Sequence, residues 1–499
     1  MGGPSRPPAG HPRRRARRHD PQCRAAHARR GPRRLHRRPP VDRRRVHRRA
    51  RGPAAAGRTA RDRIGRKKIL LVGLAIFALA CTVATLADSV GVLIAARVLM
   101  GVGAAIVMPV SMSVVPSMFA GAERTRAIAL LTAGMAIGLP LGPLVGGWLL
   151  EHYWWGSVFL INIPLIVAGF IAVAVFLPES TDRHAPRLQP FAAAAAVLGL
   201  AALVYGVIEA PTHGWTSAHT LIGGIGGLAL VALFVVSQLR SAEPMVDLGL
   251  FRNRAFLWGS IVVTAASLVL MGSLFLVPQY LQIVEGNTAF GAGLRLLPMI
   301  GGLLCGGLAS ERMAGRWGYR FTITCGLGLL AAGCLIALFT SPDSGYALAG
   351  TWLAVVGAGL GLSMVPATDA VLGSLPPDSA ATGSALMQTM RQTGGAIGVA
   401  VLGSIASSVY RSELDVSGLP PEAAGPAEDS VAGAAAVADQ LGLPEVAAAA
   451  NAAFTDAMVV VFLACAILTG AVKIAAGLRF PRTVEADEAQ SQHEPSRTA

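Results

Sequence analysis

Twelve runs of apolar residues, separated by short charged segments, constrain this chain more than any other feature. They cover Ile69–Ala87, Val90–Met118, Ala127–Leu150, Val158–Leu177, Phe191–Ile208 and Leu221–Leu239, then Phe256–Val277, Gly291–Ala309, Phe321–Thr340, Ala347–Leu372, Ala381–Val409 and Phe454–Leu478. About 20 residues of helix cross the roughly 30 Å of a bilayer's hydrocarbon, so each run is a candidate span. In lipid every backbone N–H and C=O needs an internal partner, which predicts helices throughout. Apolar residues make up 53% of the chain and charged residues only 14%, too little charge to cover soluble domains of this length. The expected fold class is an all-α membrane protein.

The segments between runs alternate in charge. Arg58–Lys68, Arg124 with Arg126, Arg183 with Arg187, Arg240 with Arg252 and Arg254, and Arg312 with Arg316 and Arg320 form a basic set. Asp88, Glu151–Gly156, Glu209–Ser217, Glu285–Asn287 and Ser341–Ser344 form an arginine-poor set. The long segment Arg411–Asn451 belongs with the second set, bearing one Arg against Glu413, Asp415, Glu422, Glu428, Asp429, Asp439 and Glu445. By the positive-inside rule the basic set faces the cytoplasm, as does the C-terminal tail. The expected location is the plasma (inner) membrane, crossed many times.

The formal charge of +15 is unevenly placed. Met1–Lys68 holds 25 Arg and Lys against 3 Asp, and the remainder is net acidic. The stretch 1–60 contains one Leu and no Ile, Phe, Tyr or Trp, so it can neither span a membrane nor bury a core. It reads as a disordered basic tail, as an arm for nucleic acid or anionic lipid, or as an out-of-frame product of a GC-rich gene. It offers no aromatic platform for stacking bases, and no specific nucleic-acid partner is expected. A signal peptide is excluded, because no apolar segment follows the basic residues.

Three motifs bear on function. Asp62, Arg63, Gly65 and Arg66 lie in D-R-I-G-R-K-K directly before the first run. Gly65 permits a tight turn, and Asp62 and Arg66 can pair with each other and with helix ends. Arg97 opens R-V-L-M-G-V-G-A-A inside the second run, where a cation is costly unless it faces a cavity or a partner. Gly134, Gly138, Gly142 and Gly146 recur every four residues, with Pro140, Pro143 and Gly147 among them. That spacing predicts one glycine-lined helix face packed closely on a neighbour, and the prolines predict a bend.

These motifs resemble those of the major facilitator superfamily. The first is similar to its cytoplasmic loop signature, the second to its fourth helix, and the third to the antiporter signature on its fifth helix. Trp154–Pro164, Tyr205–Glu209, Pro244–Phe256, Tyr280-Leu281-Gln282 and Arg391–Gly398 extend the likeness to the fourteen-span drug:proton antiporters. The resemblance implies a small-molecule substrate exchanged for protons by alternating access, with no cofactor and no catalytic residue. It implies a coupling role for Arg97. Arg391, about 15 Å into its run, and, to a lesser degree, Asp369 near a cytoplasmic end are further coupling candidates as ionisable residues within spans. Structural pairing between bundles is the other reading of Arg391. The loop match fails upstream of Asp62, where Arg58 and Ala60 stand at the expected Gly and Leu, and the two spans expected there are absent. An out-of-frame arm ending near Arg61 accounts for both facts. The implied organisation is 1–60 arm, 61–178 N-terminal bundle, 179–240 linker with two accessory helices, 241–478 C-terminal bundle with an acidic outer loop at 411–453, and 479–499 tail. The alternatives are a facilitator for solute uptake and a membrane-anchored regulatory protein that uses the arm.

No Walker A loop, metal-spaced His or Cys cluster, or G-x-S-x-G elbow occurs in the chain. The six cysteines have no CxxC spacing and read as small buried thiols. No metal is expected. The oligomeric state is not legible.

Overall fold

The computed structural model describes residues 65–118, 141–179, 189–241, 244, 246–375 and 380–481, with residues 123, 134 and 138 singly. The arm, Asp62, Arg63, Pro140 and half of the run Ala127–Leu150 lie outside the described residues. So does the Arg66 side chain.

Every regular element among the described residues is helical, and eleven spans are long and apolar enough to cross a membrane. The first group is α1 (Arg66–Thr85), α2 (Val90–Met118), α3 (141–152), α4 (Ser157–Leu160) and α5 (Asn162–Phe176). α1 packs on α2 where Gly103 admits the backbone of Gly73 and Phe77. The outer faces carry exposed Leu165, Val175 and Phe176. Exposed apolar bulk of that kind belongs in lipid rather than water.

An accessory hairpin follows, α6 (Pro190–His213) and α7 (Ala218–Arg240). Its helices meet through glycine: a Cβ on Gly206 would stand 2.7 Å from Gly224 N, and one on Gly227 would stand 2.5 Å from Leu203 N. Small residues let helix backbones approach in the absence of a hydrophobic drive between helices. The base of the hairpin is closed by Gln238, which is 2% exposed. Its amide donates to Gln189 Oε1 at 3.1 Å and accepts from Val246 N at 3.3 Å.

The remaining helices build a larger packed body. They are α8 (Arg254–Gln279), α9 (Ala289–Arg295), α10 (Leu297–Trp317), α11 (Tyr319–Ala337), α12 (Tyr346–Gly373) and α13 (Ala380–Glu413), then α14 (Pro421–Asp429), α15 (Val431–Leu441) and α16 (Pro444–Arg479). Glycines of α12 serve two neighbours: Gly357 and Gly361 approach α10 at Met299 and Leu303, while Gly359 approaches α11 at Leu330. The core between them is anchored by fully buried Trp352 against Phe462, ring centroids 4.8 Å apart.

The segment expected as an acidic outer loop, 411–453, is mostly helical. Pro421 starts α14 at a position where a missing N–H costs nothing. Ser430 caps α15 by accepting from Gly433 N, and Gly442 ends it in the left-handed region at φ 66°. Val431, Ala434 and Val437 are buried, so the apolar residues of this stretch make a second, smaller helical layer. Tyr410 Oη donates to Ala427 O at 2.9 Å and ties that layer to α13.

Candidate functional site

The last part of the glycine–proline motif lies on α3 and faces the C-terminal body. A Cβ on Gly147 would stand 2.6 Å from Ala289 O and 2.8 Å from Phe290 Cα. On the other side, a Cβ on Gly293 would stand 2.9 Å from Pro143 O. Ala289 and Gly293 are one turn apart on α9, so this face meets α3 with nothing but backbone between. Glu151 adds a polar contact, its Oε1 accepting from Phe290 N at 3.2 Å. That oxygen thereby satisfies one of the free N–H groups at the start of α9.

This contact borders a cavity of about 370 Å³. Pro143, Gly146, Gly147 and Leu150 line it from α3, and Leu274, Pro278, Gln282, Ala289, Ala292, Gly293 and Leu296 from the facing helices. The wall is mostly apolar, with Gln282 the one polar side chain among these residues. Such a lining suits a hydrophobic solute better than an ion.

The glycine stripe packs differently from the sequence expectation. Added Cβ atoms at Gly134, Gly138, Gly142 and Gly146 would meet no described atom within 4 Å. Gly146 lines the cavity instead, and the close approach falls on Gly147, one position off the stripe. A four-residue period identifies a small-residue face but not which neighbour uses it, and here a second glycine on the adjoining face makes the contact.

Arg97, on α2, is exposed, and its guanidinium lies over the Phe159 ring at 4.9 Å from the centroid. Planar guanidinium on an aromatic face is an attractive arrangement for a cation that must leave water. In its motif Gly103 makes the close contact to α1, whereas a Cβ on Gly101 would meet nothing within 4 Å. Arg391 is half-buried on α13, one turn before Gly394, which packs against Thr264 of α8. Neither arginine makes an ion pair among the described residues. Asp369 is exposed on α12 and makes no ion pair among the described residues. The three coupling candidates are therefore not joined to one another by ion pairs.

Of the loop motif, Gly65 is buried against the Glu179 side chain, and Lys67 Nζ donates to Ala174 O at 2.7 Å. Both contacts tie the start of α1 to the end of α5. Glu285, from an arginine-poor segment, forms an ion pair with Arg295, N–O 2.8 Å. Opposite charges flanking a short glycine-containing helix were the available signal.

Bundled apolar helices meeting through glycine, an apolar cavity between two groups of them, and guanidinium groups within spans define a polytopic membrane transporter. The chain belongs to the Major Facilitator Superfamily, whose sequence profile matches residues 55–399. It is a transporter and not an enzyme. It is 34% identical to the multidrug efflux pump LfrA of Mycolicibacterium smegmatis, over 84% of each chain. It is 33% identical to the multidrug resistance protein Stp of Mycobacterium tuberculosis, over 72% of this chain and 66% of that protein. About a third of Stp thus lies outside the match. Among solved structures, a bacterial homologue of the human lysosomal transporter Spinster superposes with a TM-score of 0.56 at 17% identity, covering 83% of this chain and 82% of that one. That likeness concerns the fold.

Proposed function

We propose that this chain exports small hydrophobic or amphipathic compounds, drugs and antibiotics among them, by proton antiport and alternating access. The observation that supports this most is the Gly147–Ala289 contact beside an apolar cavity. It is a backbone-close seam between the antiporter-like motif and the C-terminal helices, at the end carrying the arginine-poor loops. Read with the positive-inside rule, that end is extracellular, and the seam is an outer gate in its closed form. The C-terminus is then cytoplasmic.

Alternating access needs such seams to form and part while each group of helices stays intact. Similarity to LfrA, a multidrug efflux pump, and to Stp, a multidrug resistance protein, supports export of several unrelated compounds rather than uptake of one. Arg97 and Arg391 are the groups proposed to respond to the proton gradient, since a cation held in an apolar span without a carboxylate is sensitive to any nearby change of charge. Asp369, exposed near Glu311, is proposed for a lesser part in the same coupling. The organisation proposed for the chain is an N-terminal group ending near residue 178, an accessory segment to 240 and a C-terminal group to 478.

The test is transport of a fluorescent lipophilic cation into inside-out vesicles that contain the chain. An imposed inward-acid gradient should drive dye accumulation, and a protonophore should abolish it. Accumulation indifferent to the gradient would exclude proton antiport.

A further inference from the structure

Behind the gate helix α9 lies a charge cluster to which the transport reading gives no role. Glu285 stands just before α9 and Arg295 is its last residue. Arg295 Nη1 donates to Glu285 Oε2 at 2.8 Å, with the glutamate side chain only 9% exposed. Asn287 Nδ2 donates to the same oxygen at 3.3 Å and to Leu281 O at 2.7 Å. The Arg295 guanidinium also lies over the Tyr346 ring, 5.0 Å from its centroid, while Tyr346 Oη donates to Arg295 O at 3.1 Å. The Tyr280 hydroxyl is buried beside Glu285, and neither it nor Glu285 Oε1 makes a hydrogen bond of ordinary geometry among the described residues.

α9 forms the first two turns of the span Ala289–Trp317, set off from α10 only by Leu296. It presents Ala289 and Gly293 to α3 at distances that leave no room for error. The ion pair joins a residue four positions ahead of α9 to the residue that ends it, so it closes a loop around both gate positions. We propose that Glu285 and Arg295 are positioning residues that seat α9 against Pro143 and Gly147, and so set how much of the time this end of the transporter is closed. The proposal rests on the reading of that seam as a gate. Its physical basis is the asymmetry of a buried pair: intact, it breaks roughly even, but losing one partner strands the other charge away from water. Without Arg295 the buried carboxylate keeps Asn287 as a donor but has no compensating charge, so the favourable course is for α9 to move toward solvent and open the seam.

The experiment places a reporter cysteine at Ala292, which is 1% exposed and lines the cavity. The background has the six native cysteines replaced by serine, and intact cells are treated with a membrane-impermeant maleimide. Glu285→Gln and Arg295→Gln should each raise the labelling rate by roughly fivefold or more, the low end of coupling between linked sites. The double variant should label no faster than the faster single one, because both remove the same interaction. Arg295→Lys, which keeps the charge, should label close to the parent. Gly147→Val in the same background disrupts the seam directly and should also raise labelling. Unchanged labelling in Glu285→Gln beside a rise in Gly147→Val would overturn the positioning role while leaving the gate. Additive effects in the double variant would overturn the pairing. No rise in any variant would overturn both readings. Thermal stability measured alongside covers the remaining case: a lowered Tm with unchanged labelling makes the pair structural only.

Discussion

Gly147 and Ala289 meet backbone to backbone, with 2.6 Å between the place a Cβ would occupy and the Ala289 carbonyl oxygen. A side chain there must push α3 and α9 apart. Overpacking of this kind costs about 1–3 kcal/mol, enough to lower occupancy of the closed form by roughly 5- to 150-fold. Gly147→Val should therefore insert and fold but lose most of its efflux. Gly142→Ala, whose Cβ meets no described atom within 4 Å, should transport at close to the parental rate. Vesicle transport assays on matched protein amounts decide the comparison. Equal loss in both variants would mean that the motif acts through something other than this contact.

Arg97 invites a separate measurement, because its nearest attraction is an aromatic face. A central cation costs insertion about 2.5–3.5 kcal/mol even on a lenient scale, so Arg97→Ala should reach the membrane in equal or greater amount. Proton-driven efflux should nonetheless fall, and Arg391→Ala should behave alike. Lys at position 97 keeps the charge but not the planar stack over Phe159, and should restore efflux only in part. Unchanged pump rates under a pH gradient in both Ala variants would leave the two arginines structural.

Gln238 supplies a stability prediction. Gln238→Leu would leave Val246 N and Gln189 Oε1 facing an apolar side chain at the base of the hairpin. Leaving a buried polar group unsatisfied costs about 1–3 kcal/mol. The Tm in detergent should fall, with efflux per folded molecule retained. A Tm equal to the parent's would show that water takes over both partners.

Ser404→Ala is the milder counterpart. It removes a 2.5 Å hydrogen bond from Ser404 Oγ to Val207 O, which joins α13 to the accessory hairpin. One such bond contributes about 0.5–1.5 kcal/mol net, so the expected Tm change is smaller than that for Gln238→Leu. A larger change would mean that the serine, not the glycine packing of the hairpin, sets its attachment.

Much of the architecture is legible in the residues because lipid narrows the choices. Apolar runs near 20 residues can only be helices, and the observed helices fall on the expected runs wherever residues are described. Helix ends were harder. α16 begins at Pro444, ten residues before the apolar run at Phe454, because Pro at the first turn and an Ala-rich stretch extend it beyond the hydrophobic part. The gate was half legible. Glycine spacing marks a face on one helix, but the contact at Gly147 depends on Ala289, 142 positions away. The Glu285–Arg295 pair was missed for a related reason. Charges ten residues apart on one helix point in unrelated directions, and these two meet only because the chain turns at Gly286, with φ 67°.

The bond between Ser404 and Val207 has a practical consequence for watching this protein work. The accessory hairpin packs on α13, and α13 also carries Arg391. Whatever displacement α13 undergoes in a transport cycle is shared by a structure that borders none of the cavity described here. A fluorophore on the hairpin surface, at exposed Leu228 for example, is thus a fiducial for the C-terminal helices. Paired with a second dye on the first helix group, it would register the cycle as a change in energy transfer, with the solute path left untouched.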